Sequence, residues 1–384
     1  MPARGKSGKH ANVYEHIFQG IVSGKYPVRG KLPTEHELSD MFGVSRPTVS
    51  KALRMLEKKG MIDRRPGSGT YVRQTNSARG RKLGLLVSRL NLTPEDYSKY
   101  VTLYSMVISK MARSANKENY ILLMNDLPYG DESEVTTHAL DICRQLVDLQ
   151  VKGVFFMPLE VSPENRHINV EIAHTLKKYD IAVTLMDRDI YDKPKRSEFD
   201  LVSIDNETAG FVAAEHLLSL GCRKIDFVAG HIDVSSVSGR IAGYKEALLS
   251  YGITPQESRI HHFSILPFLV QDEPIEMETV RDLLKSLDTE AIVCSNDRMA
   301  ATIIKYAKVF GVNVPEDLRV VSFDDEPFVE SLPVPLTTMR QPPDIIGSET
   351  VRTMISRIEN PGMPARTVLI SPELIVRGSC GAKL

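Results

Sequence analysis

Near the N-terminus, apolar positions recur at helical spacing. In VSRPTVSKALRML, residues 44–56, Val49, Ala52, Leu53 and Leu56 fall at i, i+3, i+4 and i+7, one stripe of an α-helix. Ser45 is placed to accept from the free N–H groups of the first turn, Pro47 sits where no N–H is needed, and Gly60 suits the stop. Just upstream, LPTEHELSDMFG, residues 32–43, predicts a second short helix. Thr34 and Glu37 have the spacing of a capping box, and Leu38, Met41 and Phe42 supply an apolar face. Gly43-Val44 is a very short connection between the two. Downstream, GMIDRRPGSGTYV, residues 60–72, reads as two short strands around Pro66-Gly67-Ser68-Gly69. Two short helices, a tight turn and a basic hairpin predict a winged helix-turn-helix, whose second helix enters a major groove.

Beyond residue 82 the pattern changes. RQTNSARGRK, residues 73–82, is polar and without apolar period, so residues 74–82 read as a tether between a head, residues 1–73, and a body, residues 83–384. In the body, short β-rich runs (LGLLVS, YILLMN, GVFFM, IAVTLMD, LVSID, KIDFVAG, AIVCS and LRVVSFDD) alternate with helical stretches. Examples of the latter are 99–118, 134–149, 207–220, 236–251, 277–286, 297–310 and 343–358. Such βαβ alternation predicts parallel sheets with helices on both faces, and about eight to ten strands exceed one ordinary doubly wound sheet, so two lobes are expected. The fold class is therefore α/β, a two-lobed body preceded by a small α+β head.

Charge sharpens this division. Residues 1–82 carry 17 Lys and Arg against 6 Asp and Glu, a net of +11, whereas the 384-residue chain is −1 overall and the remaining 302 residues are −12. A basic module on an acidic body is the asymmetry expected when one part alone meets phosphate. Mean hydropathy is −0.17, and no apolar run approaches a membrane span. The N-terminus lacks the apolar core of a signal peptide. Cys143, Cys222, Cys294 and Cys380 are scattered, without C-x-x-C spacing or nearby His. They read as buried, reduced thiols, with no metal site, no cofactor and a cytoplasmic, nucleoid-associated location.

In parallel sheets ligands sit outside the carboxyl ends of the strands, so the residues after each apolar run matter most. There stand Asp187-Arg188, a loop leading to Arg240, Asn296-Asp297, Asp324-Asp325, and Gln341 after LTTMR. Carboxylate, amide and guanidinium groups at the mouth of a cleft suit a small neutral polyol. Asp297 and Asp325 are each expected to cap a helix or shape a turn instead.

Two resemblances follow from these residues. LPTE, the L-x-x-x-x-GVSR-x-T-V run, AL-x-x-L and the closing G-x-GT-x-V make residues 12–73 similar to the winged helix-turn-helix of GntR-type regulators. The chain departs at Ser50, where that family more often carries Arg on its base-reading face. The resemblance implies double-stranded operator DNA as partner, met by His36, Arg46, Pro47, Thr48, Ser50, Lys51 and Arg54 on the helices and by Arg64, Arg65 and Gly67 in the wing. VSIDNETAGFVAAEHLLSLGCRKIDFVAG, SVSGRIAGYKEAL, SNDRMAATIIKYAKVFGVNVPEDLRVVSFDDEPF and PLTTMRQPPDIIG make residues 82–384 resemble the effector domain of LacI-type repressors, itself similar to periplasmic sugar-binding proteins. By that resemblance the effector contacts are Asp187, Arg188, Arg240, Asn296, Asp324 and Gln341, with the Asp-Arg pair and the Gln similar to the ribose-binding branch. Loop 88–104 departs from the family; Tyr97, Tyr100 and Tyr104 are nominated there to stack on a sugar.

The pairing of this head with this body resembles the arabinose-responsive repressors. It implies a homodimer that leaves a palindromic operator when a monosaccharide, an aldopentose such as L-arabinose, binds between the lobes. The alternatives are a sugar-modifying enzyme, or a sensor of another small ligand in the same cleft. No nucleophile elbow, P-loop or metal motif favours an enzyme.

Overall fold

The structure is a computed structural model that describes residues 9–22, 25–27, 29–58, 60–65, 67–72, 81–88, 102–127, 132–159, 166–191, 194–230, 235–263, 277–286 and 288–383. It divides into two compact units, residues 1–81 with 119–121, and residues 82–118 with 122–384. The first is called the head and the second the body. Tyr97, Tyr100, Pro66 and tether residues 73–80 lie outside the described residues; Arg81 and Lys82, expected at the end of the tether, are instead the first residues of a strand.

The head opens with helix α1 (Lys9–Val22), followed by α2 (Glu35–Phe42) and α3 (Arg46–Lys58). The predicted stripe of α3 is fully buried, and Val13, Ile17 and Leu38 close the core over it. Thr34 and Glu37 form the expected capping box: the Thr34 N–H donates to the Glu37 carboxylate at 2.7 Å, and the Glu37 N–H donates to the Thr34 hydroxyl at 3.2 Å. Both helices end on glycine in the left-handed region, Gly43 at φ 57° and Gly60 at φ 67°, with the next residue's N–H donating back to the carbonyls of Ser39 and Leu56.

Two local expectations change. The Ser45 hydroxyl meets the Thr48 hydroxyl at 2.9 Å, while the N–H groups of Thr48 and Val49 donate to the Ser45 backbone carbonyl. Met41 is 56% exposed, because Leu38 and Phe42, one turn apart, already fill the inward face of α2. Antiparallel strands β1 (Ile62–Arg65) and β2 (Gly69–Val72) form the wing, in register Ile62 to Val72 and Arg65 to Gly69.

In the body, described strands form two six-stranded sheets. The first runs in the order β13-β7-β6-β5-β3-β4, from β3 (Arg81–Ser88), β4 (Tyr120–Leu127), β5 (Gly153–Phe156), β6 (Ala182–Met186), β7 (Asp200–Ile204) and β13 (Thr367–Ile370). Helices α5 (Glu132–Asp148) and α6 (His167–Lys178) cover one face, over a core that includes Leu86, Ile142, Phe156 and Leu176. Helices α4 (Leu103–Lys117) and α11 (Pro343–Glu359) lie against each other on this lobe, α11 over β5, β6 and β7.

The second sheet runs β14-β12-β11-β10-β8-β9, from β8 (Ile225–Gly230), β9 (Ile260–Phe263), β10 (Ala291–Cys294), β11 (Arg319–Asp324), β12 (Thr337–Arg340) and β14 (Glu373–Ile375). Its faces are covered by α7 (Asn206–Ser219) with α8 (Ser235–Ser250), and by α9 (Met277–Ser286) with α10 (Asp297–Val309). The pairings from β13 to β3 and from β12 to β9 are parallel, and β12 pairs antiparallel with β14. The two-lobed α/β architecture expected from the alternation is thus observed. Helix α6 and strands β9, β13 and β14 are additional to the runs that the apolar pattern singled out. The chain passes between the sheets after β7, after β12 and after β13, so the residues at those strand ends line the boundary between lobes. No described helix is long and apolar enough to cross a membrane. The four cysteines are buried and unpaired by disulfides, as expected.

Candidate functional site

On the head, α3 turns Arg46, Pro47, Lys51 and Arg54 to solvent, with Thr48 and Ser50 half-buried. Among the described residues, Arg46, Lys51 and Arg54 are paired with no carboxylate. His36 is also exposed, its Nδ1 2.9 Å from Asp40. Gly67 at φ 75° makes the wing turn in a conformation that side chains rarely adopt. The wing arginines, expected at DNA, each have partners within the head. Arg64 is ion-paired to Glu35 on α2 and lies 3.5 Å from the Ser50 hydroxyl. Arg65 donates to Asp63 at 3.1 Å and sits 5.0 Å over the Tyr71 ring.

In the body, the carboxyl ends of the strands gather the polar residues. Helices α7 and α8 approach so closely that a Cβ on Gly210 would meet the Arg240 carbonyl at 2.0 Å, and one on Gly243 the Glu207 carbonyl at 1.9 Å. Only glycine permits this contact, and the contact delivers Arg240 to the cleft. The Arg240 guanidinium is 7% exposed and held on every side. Its Nε donates to Asn206 at 3.0 Å, its Nη1 to the Ser295 carbonyl at 2.6 Å, and its plane lies 4.5 Å from the Phe323 ring centre. That leaves Nη2 facing Asp324 at 3.7 Å. Gln341, also buried, donates to the same Asp324 oxygen at 2.6 Å. Burial pushes the Asp324 carboxyl well above the ordinary carboxylate range; Arg240 opposes this, and neighbouring Asp297 and Glu326 add to it.

On the facing lobe, Arg188 donates to one Asp187 oxygen through Nε at 3.0 Å and Nη2 at 2.6 Å. In this arrangement Arg188, expected at the ligand, neutralises Asp187. Asp187, Asp324 and Asp325 all have positive φ, 67°, 115° and 57°. Each such residue costs about 1–3 kcal/mol, strain that clusters where a site must aim its side chains.

A small solvent-open cavity lies beside these groups. Asp187, Gln341 and Tyr104 line it, and Leu103, Val107, Met157 and Ile346 form its apolar wall. Gln341 links the cavity to Asp324 and hence to Arg240. Asn296 is half engaged elsewhere: its Oδ1 caps α10 by accepting from the Met299 N–H at 2.9 Å.

Asp297 therefore is not the cap. It is fully buried and accepts from the Ser322 hydroxyl, from Thr338 at 2.7 Å and from the Glu326 N–H at 2.9 Å. Burial pushes its carboxyl up to about 7. Asp325 is a turn residue, as expected, and is also tied to Arg340 at 2.6 Å and Arg377 at 2.8 Å. The spacing arguments miss Glu326, buried beside Arg298 at 3.1 Å and accepting the backbone N–H of Leu103 on the other lobe. They also miss the apolar wall. Met157, first after the GVFF strand, satisfies the strand-end rule, but a search for polar groups alone does not select it.

Known proteins resemble the chain in both of its parts. Residues 9–72 match the model of the bacterial regulatory proteins of the gntR family, and residues 214–380 match the periplasmic binding protein-like domain. Over 381 residues the chain is 25% identical to the arabinose metabolism transcriptional repressor of Geobacillus stearothermophilus, covering 97% of each chain. It is 24% identical over 362 residues to the HTH-type transcriptional repressor PurR of Vibrio atlanticus (strain LGP32), covering 91% of this chain and 98% of that one. Both relatives are transcription regulators, not enzymes. The solved complex of transcriptional regulator CelR with cellobiose shares the fold, with a TM-score of 0.65 and 20% identity over 91% of this chain and all of that one. The chain thus carries a GntR helix-turn-helix domain and a periplasmic-binding-protein-like effector domain.

Proposed function

We propose that the chain is a ligand-controlled transcription repressor whose effector is an unphosphorylated monosaccharide, an aldopentose such as L-arabinose. Two heads of a homodimer would read the halves of a palindromic operator, because two-fold protein symmetry demands two-fold DNA symmetry. The sugar would bind between the lobes and release the DNA. It does so only by favouring one arrangement of the lobes over the other.

The observation that carries this reading is the composition of the cleft. A sugar presents hydroxyl edges and C–H faces. The cavity sets Asp187 and Gln341 beside an apolar wall, and Gln341 leads on to Asp324 and Arg240. Arg188 and Arg240 are each already matched by an aspartate, which leaves no surplus cationic charge for a phosphate dianion. A relative named for arabinose metabolism supports the choice of pentose.

Calorimetry with aldopentoses, hexoses and their phosphates tests the ligand. Arg240→Ala and Asp324→Ala should each weaken sugar binding by about 2–5 kcal/mol, because each strands a buried partner, and should leave DNA affinity without sugar unchanged. Tight binding of a sugar phosphate, or full pentose binding by both variants, would show the wrong ligand class or the wrong site.

A further inference from the structure

On α3, Arg46, Ser50 and Arg54 are spaced i, i+4, i+8 and so form one row along the outer face of the helix. The row is cationic at both ends and interrupted in the middle by a small hydroxyl. The structure fills that interruption from another element. Arg64, on the first strand of the wing, brings Nη2 to 3.5 Å from the Ser50 hydroxyl, and Glu35 at the start of α2 clamps the same nitrogen. A longer side chain at position 50 would meet this guanidinium.

The clamp does not bury the group. The Arg64 and Glu35 side chains remain 31% and 32% exposed. Glu35 takes one of the two N–H groups of Nη2; the other, with the Ser50 hydroxyl only at 3.5 Å, can still pair with the N–H of Nε or of Nη1 as a fork of parallel donors. A lysine could satisfy Glu35 as a point charge, but only the planar fork can present two parallel donors to the O6 and N7 acceptors of guanine. A cation that served only to meet phosphate would gain nothing from a carboxylate at its side, since Glu35 repels phosphate. A carboxylate that holds a fork at a fixed angle serves orientation.

We infer that Arg64 is a base-reading residue: the wing lends the recognition helix the arginine that position 50 lacks, Glu35 positions it, and it recognises a guanine in the major groove of each half-site. This rests on the DNA-binding reading of the head.

Selection from a randomised duplex pool with full-length protein tests it, whatever the operator sequence. The wild type should enrich a motif with a guanine at one symmetric position per half-site. Arg64→Lys keeps a charge for Glu35, so the head folds, but should lose the preference at that position alone, a drop of roughly 5- to 150-fold in discrimination. In an Arg64→Ala background, Ser50→Arg should restore a guanine preference by placing the fork on the helix itself. An unchanged motif for Arg64→Lys would overturn the inference. So would a loss of affinity for Arg64→Ala that is uniform across sequences with the salt slope reduced by about one unit, since that marks a phosphate contact. If the wild type enriches no sequence, the DNA-binding reading itself fails, and this inference with it.

Discussion

The recognition face of the head and the cleft of the body both use arginine, in opposite ways. On α3, Arg46, Lys51 and Arg54 stand exposed, and among the described residues no carboxylate pairs with them. In the cleft, Arg188 and Arg240 are each 7% exposed, and each faces an aspartate. An exposed cation meets phosphate with little to desolvate, so its attraction is strong at low salt, long in range and indifferent to sequence. A buried, paired one presents no free field. A ligand gains from it only by matching the hydrogen bonds that hold it in place, which is how a site becomes selective. Arg64 stands between the two regimes: it lies on the DNA-facing unit but is clamped in the manner of the cleft.

The sharpest way to break this division is to unfold one side of it. Leu53 is fully buried in the small head core, so Leu53→Ala should cost about 2–5 kcal/mol. The head should melt early in calorimetry and DNA binding should vanish, while the body transition and sugar affinity stay as in the wild type. Parallel loss of sugar binding would show that the two units are not energetically separate.

Acid-base behaviour offers a finer test, because the two units should respond with opposite sign. In the body, Asp297 is raised to about 7 by burial, and Asp324 and Glu326 are raised in the same direction. Between the ordinary carboxylate range and about 7, the folded body keeps protons that the unfolded chain releases, so its stability should fall as pH rises through that window. In the head, the backbone N–H of Thr34 holds Glu37 below its ordinary value. Its contribution is present above the unfolded value and lost as pH falls. Urea denaturation at pH 5, 6 and 7.5 reads the body, a further point near pH 3 reads the head, and Asp297→Asn should flatten the body's slope. A slope that Asp297→Asn leaves untouched would remove Asp297 as its source.

The smallest effects should come from the exposed cations. Lys51→Ala and Arg54→Ala should each reduce the salt slope of DNA binding by about one unit if the side chain meets phosphate. Arg65→Ala should reduce it by less, since Asp63 and the Tyr71 ring already hold that side chain. Arg240→Ala should leave the slope where it was. Equal slopes for Arg65→Ala and Lys51→Ala would mean that the wing arginine abandons its partners on DNA.

Much of this organisation is legible along the chain. The helix-turn-helix is visible because its apolar stripe, capping box and stop glycines are all local signals: Val49, Ala52, Leu53 and Leu56 are buried together, and Thr34 and Glu37 lie within one turn. The strand-end rule also finds Asp187, Arg240, Asp324 and Gln341, because a parallel sheet aligns its carboxyl ends whatever the loops contain. Where the pattern misleads, it gives one polar residue another's partner. Asn296 takes the cap while the adjacent Asp297 reaches hydroxyls on β11 and β12.

The sequence by itself determined which elements form and which face of each is buried, because both depend on periods of a few residues that the chain carries locally. It also determined that charge is divided between a basic head and an acidic body. Only the tertiary structure decided which charges stay available. Arg64 and Glu35 are 29 residues apart, Arg240 and Asn206 are 34 apart, and Asp297 and Thr338 are 41 apart. Hydrophobic periodicity reports that a position faces inward or outward; it says nothing of which polar group will lie within about 3 Å when elements from distant parts of the chain are brought together.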